Sequence, residues 1–434
     1  MHLIFENIIR NLLAFWRGEF KGLDYTEKGP YVINEPMWEM IGGEIEKMNK
    51  LTPSIFGRRA RNIWNDRASL TAEDLANFIL IQGPYVLRGP GRLPPNYYKH
   101  FLDLRKIVIS CISYRLDPEG RADVREHVER WEADYEQLYY QYKYQRLSAC
   151  PSVLHRFLHI PDFHDWIGPS WATWAFAGER LLGILKTHLG SRIHPYENLM
   201  NHIVQMEQLR QIKIKYHLTF DSDNDRSLTQ GQRIPNYACS LLRPSRGLTL
   251  SDLSEHERRI LINHLFTISD QEFTKMEIRK ELEEEGMGLR EWGKVKLDHN
   301  GDTVVAEGGG SIQSDFRERQ ITTYADLNAE KPDAPIVYAP HVTYGRLDRI
   351  IQLHFRANPH LFAFVREVET TVTDDGLIHM PFGLQLRERG VVDLKCIGGL
   401  VGRATTYDES DWWIVERAEE VVAPEFVEEE LILT

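Results

Sequence analysis

The chain has 434 residues, 42% hydrophobic and 11% aromatic, which is the make-up of two or three folded domains and excludes a disordered polymer. Its four cysteines, Cys111, Cys150, Cys239 and Cys396, are widely scattered, which excludes a disulfide framework and points to a reducing, intracellular setting. The formal net charge is −12, and no signal peptide or run of ~20 apolar residues occurs, so the expectation is a soluble protein without a membrane span.

The charge is unevenly spread. Residues 1–217 hold 28 Lys+Arg against 25 Asp+Glu, whereas residues 218–434 hold 24 against 39. Acidity therefore belongs to the second half, including the 281–285 run and the 425–430 tail, patterns that are usually solvated. Basic clusters at Arg58-Arg59-Arg61, Arg105-Lys106 and Arg210-Lys213-Lys215 are candidates for phosphate contact. On charge alone, solvated faces are the stronger reading.

In chain order, the apolar positions Leu3, Ile4, Ile8, Leu12, Leu13 and Phe15 recur with a helical period and predict a helix over 1–16. Asn34 before Glu35-Pro36 predicts a capped helix, and Thr71 before Glu73 and Asp74 predicts another running towards Gln82. Residues 96–116 read as a strongly apolar helix. Residues 118–147 read as a long amphipathic one, with Val124, Val128, Trp131, Tyr135 and Leu138 three and four apart. Its tyrosines Tyr139, Tyr140, Tyr142 and Tyr144 suit helix packing better than base stacking. Helices over 171–189, with Ser170 as its cap, and over 196–217 complete a domain spanning 1–218.

Residues 220–248, with Pro235, Pro244 and Gly247, read as an exposed linker. Two helices follow within a 219–290 segment, the first capped by Ser251 or Ser254. From Trp292 the texture becomes short alternating runs. These comprise an Asn300-Gly301 hairpin joining 293–297 to 303–306, then strands over 336–338, 345–355, 361–368, 391–394, 400–404 and 412–416. The expected fold class is α+β: a mostly helical amino-terminal domain followed by a small β-rich module over 291–434. Gly308-Gly309-Gly310 lacks a following Lys-Ser/Thr and predicts no phosphate loop.

One constellation carries chemistry. His155 and His159 are four apart, so on a helix they share a face and could grip one metal ion. Glu179 follows in the next periodic stretch. The same residues also suit an ordinary solvated helix face. His164, in the 161–168 connection, reads as a loop histidine rather than a third ligand.

The stretch LHIPDF…GP…W…F…ERLLG resembles the end of the catalytic domain of DDE transposases with an RNase H-like core, in the spacing of the V(D)J recombinase large subunit. The opening run MHLIFENIIRNLLAFWRGEFKGLDYTEKGPYVI resembles the segment that follows the Asp-x-Met-His motif of CACTA/EnSpm-type transposases. PNYYKHFLDLRKIVISCISYRL and EQLYYQYKYQRLSACP are similar to that family, and YGRLDRIIQLHF, VDLKCIGGLVGRA and DWWIVERAE resemble its small carboxy-terminal module.

The resemblance implies a role for each matching residue. Glu179 would be the third catalytic carboxylate, His155 and His159 half of a structural zinc clamp, and His2 the histidine of the Asp-x-Met-His motif. It also implies remnants of the insertion domain and the closing core helices in the helical domain, magnesium or manganese and zinc as cofactors of the intact family, DNA at transposon ends as partner, and the nucleus as location. The family's first two aspartates and its Cys-x-x-Cys half-site have no counterparts here. The expectation is a truncated transposase, inactive alone, with no bound cofactor. The alternative is a non-catalytic DNA- or chromatin-associated protein whose β module binds a protein partner.

Overall fold

A computed structural model describes residues 2–23, 29–113, 117–189, 193–216, 231–269, 272–283, 289–298, 301–307, 318–326, 338–356, 358–380 and 386–417. The fold is α+β, with helices mostly in the first half and antiparallel sheets in the second. Contacts divide it into two units that do not follow chain order: Met1–Gly29 with Lys99–Thr229, and Pro30–Tyr98 with Gln230–Thr434. Residues 30–98, placed by sequence in the helical domain, thus cluster with the β-rich residues. The triple glycine, the 221–227 polar run and the 425–430 tail lie outside the described residues. No helix among those described is long and apolar enough to cross a membrane.

In chain order, a π-helical His2–Ile9 leads into α1 (Arg10–Arg17), and α2 spans Glu35–Leu51. Next come α3 (Ala72–Asn77), prolonged by a π-helical Phe78–Gln82, then α4 (Gly83–Val86) and α5 (Pro95–Ile112). Helix α6 (Pro118–Tyr135) continues as a π-helical Glu136–Tyr140 and is followed by α7 (Ser152–Leu158) and α8 (Ile160–Ile167). The remaining helices are α9 (Phe176–Thr187), α10 (Pro195–Lys215), α11 (Glu255–Ile268) and α12 (Lys275–Glu283).

The first unit is held by an aromatic core. Leu12, Phe15 and Trp16 of α1 are buried, as are Phe101, Trp131, Tyr135, Tyr139 and Phe157. The Trp16 Nε1–H donates to Tyr139 Oη at 3.0 Å. Helices α5 and α6 are tied twice: Trp131 Nε1–H donates to the His100 carbonyl at 3.0 Å, and His100 Nε2–H donates to the Trp131 carbonyl at 3.1 Å. The two rings stack with centroids 4.5 Å apart.

The helix expected over 118–147 is shorter. It ends after Tyr140 because Gln141 and Tyr142 turn to φ of 59° and 51°, and a tight helix over Tyr144–Ala149 follows. The tyrosines split accordingly: Tyr139 is core, while Tyr142 and Tyr144 are exposed.

In the second unit, the expected caps are present. Asn34 Oδ1 accepts from Met37 N at 2.9 Å, and Thr71 and Asp74 form a reciprocal capping box. Ser254, not Ser251, caps α11 with Glu257 as its capping-box partner. Helix α2 packs on the strand Gly402–Thr405, where buried Glu44 takes both guanidinium nitrogens of Arg92 at 2.6 and 2.7 Å and also accepts from Tyr407 N.

The larger sheet has nine strands: β1 (Gln232–Arg233), β2 (Cys239–Gly247), β3 (Arg290–Leu297), β4 (Thr303–Val305), β5 (Glu318–Asp326), β6 (Tyr338–Phe355), β7 (Asn358–Val368), β10 (Leu386–Asp393) and β11 (Ile397–Leu400). A smaller sheet is ordered β12 (Gly402–Thr405), β13 (Trp412–Val415), β9 (Ile378–Met380), β8 (Thr371–Val372). Strand β10 pairs with β7, and β11, one three-residue turn later, pairs with β5, so the large sheet curls back on itself.

The expected exposed linker over 220–248 is corrected by β2, which pairs along β3 with Leu241 fully buried. Proline is tolerated in this strand because Pro244 falls in the register break between Leu242 and Ser245.

The tie between α5 and α6 predicts acid sensitivity. Burial pushes the His100 imidazole down from 6.5 to about 4. The unfolded chain therefore binds the proton first, and stability present above pH 6.5 is lost as pH falls towards 4, by about 3 kcal/mol from this group. Urea titrations of the wild type and of His100→Gln across that window should show a shallower acid loss in the variant. Parallel slopes would assign the acid sensitivity elsewhere.

Candidate functional site

All four residues singled out by sequence lie in the first unit. The His2–Ile9 stretch buries Ile4, Phe5, Ile8 and Ile9, and α7 packs against it. Burial of that apolar face leaves His2 at the exposed start of the helix. Phe5 meets Phe176, the first residue of α9, with ring centroids 6.5 Å apart.

This contact brings together residues from opposite ends of the unit. Glu179 sits in the first turn of α9, where a carboxylate is favoured by the helix dipole. Its Oε1 lies 3.3 Å from His2 Nε2, while His2 Nδ1 contacts the Glu6 carboxylate one turn along its own helix. His2 thus bridges two carboxylates, one local and one distant. Glu179 is half exposed and keeps an oxygen free for solvent or a ligand.

The histidine pair forms as its spacing implies. His155 lies in α7 and His159 at the junction of α7 and α8, with their Nε2 atoms 3.3 Å apart and their rings at 89°. Two nitrogens bound tetrahedrally to zinc at ~2.0–2.1 Å would stand about 3.3 Å apart. Behind His159, Asp162 Oδ2 accepts from Nδ1–H at 2.9 Å, the carboxylate–histidine arrangement that orients metal ligands. Hydrogen bonds from His159 and then Arg125 hold the Asp162 carboxyl below its usual range. Among the described residues no group of three or more His, Cys, Asp or Glu could hold a metal ion, and two histidines are fewer than the four ligands of a structural zinc site.

Three local expectations are corrected. His164 is not a loop residue: Ile160–Ile167 is helical because Pro161 fits its first turn, and His164 is buried with Nε2 2.7 Å from Ser170 Oγ. Ser170 is spent on that contact and begins a single tight turn. Helix α9 therefore starts at Phe176, not at Trp171, and Ala175 precedes it without a side-chain cap. Sequence reasoning missed Asp162, although its place three residues after His159, one helical turn on, was a usable signal.

Helices α9 and α10 carry much uncovered apolar surface. Trp171 and Leu181 are exposed, Trp174 and Leu185 are half-buried, and α10 has no buried residue. Of the basic clusters, Arg61 is engaged by Asp74 and the Ser69 carbonyl, and Lys106 by Asp103. No protein-family model, curated protein or solved structure matches the chain.

The Asp162 contact fixes a tautomer. An ionised carboxylate only accepts, so His159 carries its proton on Nδ1 and turns the Nε2 lone pair towards His155, which donates Nε2–H. Long-range proton–nitrogen correlation spectra should show His159 as the Nδ1–H form, reverting in Asp162→Ala to the mixture of a free imidazole. An Nε2–H signal for His159 in the wild type would contradict the assigned hydrogen bond.

Proposed function

We propose that this chain is the rear portion of a CACTA/EnSpm-type DDE transposase with the family's carboxy-terminal β module. The ancestral reaction is metal-dependent DNA cleavage and strand transfer at transposon ends in the nucleus. The meeting of His2 with Glu179 carries this reading. In the Asp-x-Met-His motif, the aspartate stands three residues before the histidine that His2 matches. A carboxylate there would arrive beside Glu179, as two acids of a two-metal centre must. Nothing in the residue types required those two positions to converge.

The geometry of the histidine pair supports the same reading. The spacing of the His155 and His159 nitrogens suits one metal, and Asp162 orients the second ring. A Cys-x-x-Cys, which the family carries ahead of this stretch, would complete the tetrahedron, and the bound zinc would pin α7 near the helix bearing Glu179. The catalytic metals are a different case. The described residues supply one of three family carboxylates, and no cluster among them holds a cation. These residues alone do not make a cleavage centre. The incomplete acid set favours, as a second reading, a DNA- or chromatin-associated protein without catalysis, whose β module binds a protein partner.

The purified chain should neither nick nor join DNA in magnesium or manganese. Preceded by the family's two aspartates and Cys-x-x-Cys in frame, it should nick DNA, and Glu179→Ala should lower the rate by ~10³-fold or more, as expected for loss of an electrostatic group at the reacting centre. Cleavage by that longer protein that persists in Glu179→Ala would sink the assignment.

Elemental analysis of the unchelated chain should find zinc well below one ion per molecule, because two histidines are half of a structural site. Stoichiometric zinc would require ligands other than those named.

A further inference from the structure

The second unit contains a groove of about 900 Å³ between α11 and α12 that is lined by Arg258, Arg259, Lys275 and Arg279 against a single carboxylate, Glu255. Its apolar side chains are Leu250, Ile262 and Met276, the last 81% exposed. Among the described residues no carboxylate pairs with Arg258, Arg259 or Lys275; Arg279 bridges Glu283 at 3.0 Å. Three of these four cations thus have no carboxylate partner among the described residues, within a half-chain of 24 Lys+Arg and 39 Asp+Glu.

The cations are held from beneath. His256 Nε2–H donates to the Arg389 carbonyl on β10 at 3.0 Å, so its Nδ1 is free to accept from Arg259 Nη2 at 3.1 Å. The imidazole is a spacer between sheet and guanidinium. Under it, Glu257 is consumed by Arg349 and Arg389 and does not reach the groove. Lys275 lies over the Phe266 ring, its Nζ 5.3 Å from the centroid. Two of the groove's cations are therefore positioned before anything binds.

We propose that this groove binds an acidic peptide segment carrying apolar anchors, of the kind spelled by this chain's own residues 425–433, EFVEEELIL. Charge complementarity selects acidic partners, and the apolar floor selects among them. A sugar-phosphate backbone would match the cations but leave the exposed Met276 uncovered, and the acidic remainder of the half-chain would repel a long polyanion. A short peptide with glutamates on one face and Phe, Ile or Leu on the other satisfies both requirements. The inference does not depend on the transposase reading.

The test uses the full chain with Glu425, Glu428, Glu429 and Glu430 each changed to serine, so that its own segment cannot compete. A fluorescein-labelled peptide of residues 423–434 is titrated by anisotropy. Saturable binding is expected, weakening about 10-fold between 50 and 300 mM salt, as for an interface steered by several charges. In the same background, Arg258→Glu with Lys275→Glu should weaken it by ~30-fold or more, and Met276→Asp by about 10-fold. Met276 is exposed, so its variant should keep the thermal melt of the parent. Absence of saturable binding, or equal binding by these variants, would overturn the proposal. So would a single-stranded oligonucleotide that binds and is lost with Arg258→Glu and Lys275→Glu while the peptide does not bind, since that outcome marks a phosphate surface.

Discussion

The reciprocal hydrogen bonds between His100 and Trp131 fix the facing surfaces of α5 and α6, and the candidate site is assembled on that pair. Trp131 turns its other edge to Phe157 of α7, with ring centroids 5.2 Å apart. Tyr135 and Tyr139 continue the stack to Phe15, and Trp16 closes it by donating to Tyr139. One aromatic core thereby sets both the helix that presents His2 and the helix that presents His155. Burial makes the His100 ring neutral, which this geometry requires. A protonated imidazole would keep the Nε2 bond but bury a charge whose Nδ1 has no partner.

Elements governed by local chemistry were legible in the sequence. The caps at Asn34, Thr71 and Ser254 rest on side chains within three residues of the backbone they satisfy, and each stands where its residue type implies. The β3–β4 pairing likewise follows from a turn signal. Illegible elements depend on distant partners. Strand β2 reads as a broken loop until β3 supplies its register, and Pro244 is acceptable only because the ladder is interrupted there. The association of residues 30–98 with the strands rests on pairs such as Glu44 with Arg92 and Tyr407, which no periodicity announces. The site divides in the same way. The His155–His159 pair was readable from spacing, whereas the approach of His2 to Glu179 depends on tertiary packing, and the sequence reading named the two residues without bringing them together.

A chain of charges built on buried Glu257 and Asp348 and partly buried arginines organises the second unit around α11. Arg349 joins Glu291 to Glu257, Arg389 joins Glu257 to Asp348, and Arg366 takes the remaining contacts of Asp348. Glu257 also closes the capping box with Ser254, so one carboxylate both starts the helix and bolts it to the sheet. Burial raises its proton affinity, but the bonds from Ser254 and Arg349 outweigh that and hold it below the usual range. Removing one partner from a fully buried pair typically costs ~3–5 kcal/mol and from an exposed pair about 0–1, and this partly exposed network lies between those limits. The orientation of α11, and with it the basic face above, is thus set by charges that a peptide in the groove would never touch.

Helix α10 poses the opposite problem. It runs for 21 residues without a buried side chain, and Met200, Val204, Leu209 and Ile212 are among its exposed apolar positions. Isolated helices gain little from propensity alone, so a helix of this composition is stabilised chiefly by whatever covers it. Its neighbour α9 is similar, with Leu181 and Leu182 more than half exposed. Exposed apolar area of this kind marks an interaction surface. On the proposed reading the cover is the sheet of the nuclease core, whose strands would carry the other two carboxylates. The same sheet would then complete the acid set around Glu179 and bury the apolar faces of α9 and α10. On that reading two deficits fall on one element, α9: an apolar face without a cover and a carboxylate without its two partners.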